Sequence, residues 1–376
     1  MSGRRQRIRV GIVGASPNGS WAAATHLPAL AHLEEFAVTA VATSKPETAR
    51  EAAARFGAAH AFTSAADLAG HPGVDLVVVS VKSAGHAEAI RAALAAGKHV
   101  YSEWPLGVDA AETAELAEAA AAAGVVHAIG LQGYHSPSAL FVRDLIAEGR
   151  IGRVESAAFI TPGDPWGGAR IPEALAWGTD PAAGAGVLTI MVGHALATFE
   201  HLVGGLAQVS AVVANLHKKV AVAETGERIA NQAPGQIALT GRLGDGAVAS
   251  LTVHGGSSTA GPDEFLLRIA GTEGTLTITP VRAGVYPHWT EWNIRLRSVD
   301  GVTTSLDVPA RYRIVPAGVP DGPTVNVAAL YREIGQAIDQ GRDANPSFAT
   351  ALHYHRLLET IERASQTGQS QALTVE

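Results

Sequence analysis

The stretch Arg7–Gly19, RIRVGIVGASPNG, runs from an apolar β-branched segment into a glycine-bounded turn, and Ser20-Trp21-Ala22-Ala23-Ala24 follows it as the opening of a helix. In a strand–turn–helix of this kind the glycines let backbone N–H groups approach an anion at the positive end of the helix. The residues read G-x-S-x-x-G, so Ser16 stands where a dinucleotide fingerprint carries its middle glycine. A plain structural turn would explain the same residues, and the weight of the motif comes from its surroundings.

Those surroundings alternate. From Arg7 to about Ile129 the short runs FAVTAVAT, VDLVVVSV, KHVYSE and VVHAIG are separated by alanine-rich helical segments. Such alternation predicts parallel strands with crossover helices. The nearly all-apolar strands fit a sheet covered on both faces. The expectation is an α/β Rossmann doubly wound parallel sheet over 1-132 that binds NAD(P), with Gly14, Ser16, Asn18, Gly19 and Trp21 at the cofactor. The second strand ends VATSKPE, where a carboxylate would ordinarily receive the adenosine ribose. Thr43, Ser44 and Lys45 suit a 2′-phosphate better, which favours NADP and leaves NAD possible; a solvated lysine on a surface turn accounts for Lys45 equally.

Beyond Pro137 a helical segment, SALFVRDLIAEG, gives way to LAQVSAVVANL, QIALTGRL, AVASLTVHG, FLLRIAG and GTLTITP, which read as successive strands with few helices between them. They predict an α+β domain over 133-376 with a large, mostly antiparallel open sheet, serving substrate binding and oligomerisation. Its C-terminal helices, VNVAALYREIGQAIDQG and FATALHYHRLLETIERASQ, are broken at Gly341 and Pro346 and could pack back on the first domain. A broad sheet face predicts a homodimer or higher homo-oligomer.

Composition narrows the partners. The 376 residues are 47% hydrophobic, enough for two domains, and the formal net charge of -7 comes with no Lys/Arg-rich tract, which argues against a nucleic-acid partner. With no cysteine, disulfides, thiolate metal sites and cysteine nucleophiles are excluded. The basic opening MSGRRQRIRV precedes an apolar run too short for a signal segment, no later run approaches membrane-spanning length, and the cytoplasm is the default location. The opening arginines are expected to flank the first strand. His26, His86, His254 and His288 show no metal-ligand spacing, and His217-Lys218-Lys219 reads as a solvated turn.

The glycine turn, Glu103-Trp104-Pro105, GTEGTL at Gly271–Leu276 and PSFATALHYHRLLETI near the end together resemble the Gfo/Idh/MocA oxidoreductase family over almost the whole chain. The resemblance implies NAD(P) on the first strand–turn–helix, a Glu-Lys-Pro lysine beside the nicotinamide, and an Asp-x-x-x-His pair on a helix of the second domain. Glu103 and Pro105 match, but Trp104 replaces the lysine; His194 in GAGVLTIMVGHAL matches, but Ile190 replaces the aspartate. Within the family, EWPL, VLTIMVGHAL and SWAAATHLPAL at Ser20–Leu30 are most similar to the branch containing the galactose-regulon repressor of yeasts, a dinucleotide-binding regulator.

Hydride transfer at a carbinol or carbonyl carbon needs a proton to leave or reach the oxygen, and a positioned acid–base contributes about 10²–10⁴-fold. A lysine does this and an indole does not, since its one N–H does not exchange usefully near neutrality. Trp104 offers stacking area against a ligand instead, or fills a seam between domains. His194, with an ordinary pKa of about 6.5, is the remaining proton exchanger unless it is a satisfied core histidine. Gln132 and Tyr134 in GLQGYHSP follow the last strand of the first domain, where they could orient substrate, and Ser136-Pro137 closing a turn explains them equally. Trp166 and Trp177, and Trp289 in the loop Gly284–Trp292, line a substrate pocket or serve as interface or core.

Two functions follow. One is an NAD(P)-dependent oxidoreductase acting on a sugar, cyclitol or activated C=C or C=N compound, with His194 in place of the missing lysine. The other is a non-catalytic dinucleotide-sensing regulator that engages a protein partner. The Ala/Gly/Arg bias resembles a high-GC bacterial chain and leans toward the enzyme.

Overall fold

A computed structural model describes residues 7–256, 265–282 and 286–373. The opening arginines Arg4 and Arg5, and Gly284 at the start of the second aromatic loop, lie outside the described residues. The chain divides into two units, Met1–Gln132 with Ile314–His353, and Gly133–Arg313 with Tyr354–Glu376.

In the first unit the chain forms β1 (Ile8–Val13), α1 (Leu27–Leu30), β2 (Phe36–Ala42), α2 (Pro46–Phe56), β3 (His60–Phe62), α3 (Ala65–Gly70), β4 (Leu76–Val79), α4 (His86–Ala95), β5 (His99–Glu103), α5 (Ala110–Ala123) and β6 (His127–Gly130). The six strands are parallel in the order β3-β2-β1-β4-β5-β6. Strand order reverses between β1 and β4, and a crevice opens outside the carboxyl ends at such a switch point. All four side chains of β4, LVVV, are buried, as helices on both faces require.

Local chemistry sets the boundaries. Gly14 leaves β1 at φ 95°, and a Cβ there would stand 2.2 Å from the Ser80 carbonyl oxygen, so only glycine lets the turn lie against the chain leaving β4. The Ser20 hydroxyl donates to Ser16 O at 2.6 Å and accepts from Ala23 N–H at 3.1 Å, starting a π-helical turn, Ala22–His26, that runs into α1. Asp109 caps α5 by accepting from Glu112 N–H, and Gly124 ends that helix in the left-handed region.

The second unit comprises α6 (Pro137–Ala147), β7 (Val154–Pro162), β8 (Arg170–Ile171), α7 (Gly193–Val203), β9 (Leu206–Ala214), β10 (Lys219–Val222), β11 (Arg228–Ala230), β12 (Gln236–Leu243), β13 (Val248–His254), β14 (Leu266–Gly271), β15 (Gly274–Pro280), β16 (Trp292–Ser298) and β17 (Thr303–Leu306). After α8 (Pro323–Gln340) and α9 (Phe348–Thr367), β18 (Gln371–Ala372) completes a nine-stranded sheet in the order β17-β16-β15-β14-β7-β13-β12-β9-β18. Every neighbouring pair is antiparallel except β7 with β13. Burial alternates along β15 as one-sided packing demands, and Phe159 of β7 stacks with Phe199 of α7 across the covered face. A separate three-stranded sheet, β11-β10-β8, departs from the sequence reading of His217–Lys219 as a turn, because Lys219 begins β10.

α8 belongs to the first unit, where Val327, Leu330, Tyr331 and Ile334 join a core with Leu27, Leu30 and Phe36. Their spacing is that of one helical face. Among the described residues no helix is long and apolar enough to cross a membrane.

Candidate functional site

Five strand ends of the first unit carry its distinctive residues: Gly14–Gly19 after β1, Thr43–Lys45 after β2, Ser80–His86 after β4, Trp104 and Pro105 after β5, and Gln132 after β6. Parallel order puts all of them on one edge of the sheet. In the β1 turn Ser16 is half-buried, Asn18 and Gly19 are exposed, and Trp21 is half-buried at the helix start. Gly19 has φ 73° with open space where a Cβ would project, so the backbone conformation, not crowding, selects glycine there. After β2 the Thr43 hydroxyl is spent locally, donating to Lys45 O at 3.0 Å and lying 2.6 Å from the Thr48 hydroxyl, whereas Ser44 and Lys45 are exposed.

Glu103 is the centre of a buried polar chain. Its Oε1 lies 3.0 Å from His26 Nε2, and its Oε2 accepts from Gln132 Nε2 at 2.8 Å. His26 Nδ1 lies 2.8 Å from the Tyr331 hydroxyl. A carboxylate only accepts, so the His26 proton sits on Nε2, and Nδ1 accepts from Tyr331. Burial, reinforced by the Glu103 charge, holds the Tyr331 hydroxyl well above its ordinary pKa, which keeps it the donor the chain needs. Tyr101 is shifted the same way, by burial first and then by Glu103. Gly130 sits beside Glu103 in the sheet, and a Cβ there would come within 2.7 Å of the carboxylate. With Nε2 of Gln132 turned to Glu103, its Oε1 is a buried acceptor that no described residue satisfies.

A second buried imidazole ties two of the loops together. His86 has Nδ1 2.7 Å from Pro105 O and Nε2 3.0 Å from Val81 O. Burial lowers its pKa, so the neutral ring donates to one carbonyl at a time. Trp104, at 5% exposure, precedes a cis peptide to Pro105.

In the second unit His194 is the second residue of α7, which follows directly on a π-helical turn, Val187–Val192, that contains Ile190. Its ring stacks on His288 with centroids 4.5 Å apart, and burial followed by the His194 charge holds His288 well below the ordinary histidine pKa. Tyr134 stacks on His201 at 4.3 Å, and its hydroxyl lies 3.0 Å from that of Tyr354. Burial raises the Tyr134 pKa, so it holds its proton near neutrality. Trp166 is buried, donating from Nε1 to Leu175 O at 3.3 Å, and Trp177 meets it edge-on. Trp289 is half-buried beside Tyr286. Thus Glu103, Gln132 and Trp104 gather in one unit, and His194 and Tyr134 stand in the other. Among the described residues no three His, Cys, Asp or Glu are placed to hold a metal ion.

The sequence reading missed the parts played by His26, Tyr331 and His86, whose partners lie on other elements.

Buried histidines whose pKa is lowered, His86, His201 and His288 among them, contribute to the acid limb of stability. His201 accepts from Arg143 at Nε2, 3.3 Å away, and burial first, then that guanidinium, lower its pKa to about 4. The unfolded chain, with histidines near 6.5, therefore binds more protons between pH 6.5 and 4. Stability is fully present above about pH 6.5 and falls as pH drops through this window. The urea midpoint should decline from pH 7 to 4.5, and His201→Gln, which keeps an acceptor for Arg143, should make the slope shallower by about one proton. An unchanged slope would show that His201 titrates alike in both states.

Residues 8–131 match the Gfo/Idh/MocA model, described as oxidoreductase family, NAD-binding Rossmann fold, and residues 137–280 match the Gal80p C-terminal domain. dTDP-3,4-didehydro-2,6-dideoxy-alpha-D-glucose 3-reductase of Streptomyces violaceoruber is 32% identical over 368 residues, 95% of each chain. The galactose/lactose metabolism regulatory protein GAL80 of Saccharomyces cerevisiae is 27% identical over 288 residues, 72% of this chain and 66% of that one. The solved structure of levoglucosan dehydrogenase in complex with NADH and L-sorbose shares the fold at TM-score 0.85 and 20% identity, covering 98% of this chain and 99% of the other. A Rossmann unit with the glycine turn at its switch point, followed by a Gal80p-like sheet domain, makes this chain a member of the Gfo/Idh/MocA oxidoreductase family.

Proposed function

We propose that the chain is an NAD(P)-dependent oxidoreductase that moves a hydride to or from a polar small molecule, of the sugar or cyclitol class or bearing an activated C=C or C=N bond. The observation that carries the reading is the Gln132 Oε1 acceptor, buried and unsatisfied on the same sheet edge as the glycine turn. An acceptor there calls for an N–H or O–H donor, and a nicotinamide carboxamide and a ribose both carry one. Gly14–Gly19 would hold the pyrophosphate, Ser44 and Lys45 the adenosine end, and Gln132 with Trp104 the nicotinamide end. The bound dinucleotide supplies or accepts the hydride. The chain's own part is to place the substrate, exclude water and exchange one proton, and His194 takes that exchange. The sugar substrates in the names of the reductase and dehydrogenase relatives support this class.

The match to the Gal80p C-terminal domain and the tryptophan at position 104 favour a second reading, a dinucleotide-sensing regulator with a protein partner. Anaerobic incubation with NADPH or NADH and a panel of ketosugars, enones and imines separates the two. Cofactor consumption with one class is expected; tight dinucleotide binding without consumption would establish the regulator.

The open face of the large sheet supports a homodimer. Val212, Ala238, Thr252, Ile160 and Leu266 pair across five strands in one row, with Val212 65% and Ile160 39% exposed. A row this apolar suits a second copy of the same face. Light scattering at micromolar concentration should give about twice the 38.6 kDa chain mass, and a monomer would refute it.

His194→Ala should lower turnover by about 10²-fold or more with dinucleotide affinity nearly intact. Wild-type turnover in a folded variant would move the proton source to Tyr134 or water.

Lys45→Ala should weaken NADPH binding by about 1–2 kcal/mol, the scale of a charge-assisted hydrogen bond, and leave NADH almost untouched. Equal losses for both cofactors in a titration would remove Lys45 from the 2′-phosphate site.

A further inference from the structure

Trp104 stands where the family motif carries a lysine, and two other lysines stand on the same sheet edge. The chain has five lysines, Lys45, Lys82, Lys98, Lys218 and Lys219. Lys218 and Lys219 lie in the second unit, and Lys98 donates to Val74 O at 2.8 Å ahead of β5, at the opposite edge of the sheet. Lys45 and Lys82 follow the carboxyl ends of β2 and β4, on opposite sides of the switch point. A dinucleotide laid across that point with its adenosine ribose toward β2 has its nicotinamide on the β4 and β5 side. That is the side of Lys82 and Trp104.

The backbone at Lys82 is fixed. Ser80 N–H donates to Val13 O at 2.9 Å, and Gly85 N–H donates to Lys82 O at 2.8 Å. The absent Cβ of Gly14 marks where Ser80 O and Val81 Cγ1 press against the glycine turn. On the other flank the His86 ring reaches Val81 O with one nitrogen and Pro105 O with the other, so one imidazole spans the loop of Lys82 and the loop of Trp104. Val79 and Ser102 pair in register where the two strands end. Lys82 is itself exposed, as a residue that meets a ligand must be.

We propose that the Lys82 ammonium is the cation beside the reacting oxygen, replacing a lysine at position 104; this rests on the oxidoreductase reading above. In a reduction the bound dinucleotide would supply the hydride for the new C–H bond, and the carbonyl π pair would move onto oxygen. Lys82 would donate a hydrogen bond to that growing negative charge and keep its protons, and the proton that forms the O–H bond would come from the exchanger of the reading above. A fixed donor aimed at charge that develops only in the transition state is worth about 10²–10³ in turnover.

The test reads position before activity. Reductive methylation with ¹³C-formaldehyde keeps the lysine charges and gives each amine an NMR signal; the Lys82 signal is assigned by its loss in Lys82→Arg. The oxidised nicotinamide is a cation and the reduced ring is neutral. The titration midpoint of the Lys82 signal should therefore lie lower with NADP⁺ or NAD⁺ bound than with NADPH or NADH bound. Equal midpoints with the dinucleotides bound would place Lys82 away from the nicotinamide and overturn the proposal while leaving the cofactor reading intact. Failure of all four dinucleotides to bind would sink both. With whichever compound of the panel consumes cofactor, Lys82→Met should lower turnover about 10²–10³-fold and Lys82→Arg should recover most of it. Wild-type turnover in Lys82→Met would likewise overturn the assignment.

Discussion

A carboxylate buried at the end of a central strand is costly unless donors surround it, and the first unit is built around that requirement at Glu103. One donor, Gln132, arrives from the end of β6, and the other, His26, from the π-helical turn that follows the glycine loop. His26 in turn takes its second hydrogen bond from Tyr331 of α8. Removing any member leaves its neighbour with a buried hydrogen-bonding atom unmet, so the glycine loop, the sheet edge and α8 are held to one geometry. Gly130 completes the arrangement by leaving the carboxylate room.

Much of this architecture was legible in the chain. The alternation of apolar runs with alanine-rich segments gave the parallel sheet, because strands buried on both faces need long apolar stretches. Successive strand-like runs with few helices between them pointed to the second, mostly antiparallel sheet, because strands joined without crossover helices pair antiparallel. Glu103 was found from its motif, but His26 and Tyr331 were not. Their contact joins residues 305 positions apart, and no local pattern encodes it. The sheet of β8, β10 and β11 escaped because strands of two to four residues are too short to show a period. Tyr134 reads as a loop residue in the sequence, yet its hydroxyl meets Tyr354 on α9.

The two changed motif positions share one physical character. Trp104 and Ile190 are both apolar where the family carries a charge, and both flank groups that remain polar, Glu103 and His194. Glu103 is held within the first unit by Gln132 and His26.

The discontinuity of the first unit bears on how the protein is made. β6 bonds to a segment far downstream, with Ile129 N–H donating to Pro346 O and Phe348 N–H lying 3.2 Å from His127 Nδ1, and Tyr331 follows β7 to β17 of the large sheet. During synthesis the first 132 residues emerge without these partners. The nascent sheet then has an uncovered edge, and its buried carboxylate–imidazole pair lacks the tyrosine that completes it. The second unit's strands are translated while the first waits, so closure of the first is one of the last events on the ribosome.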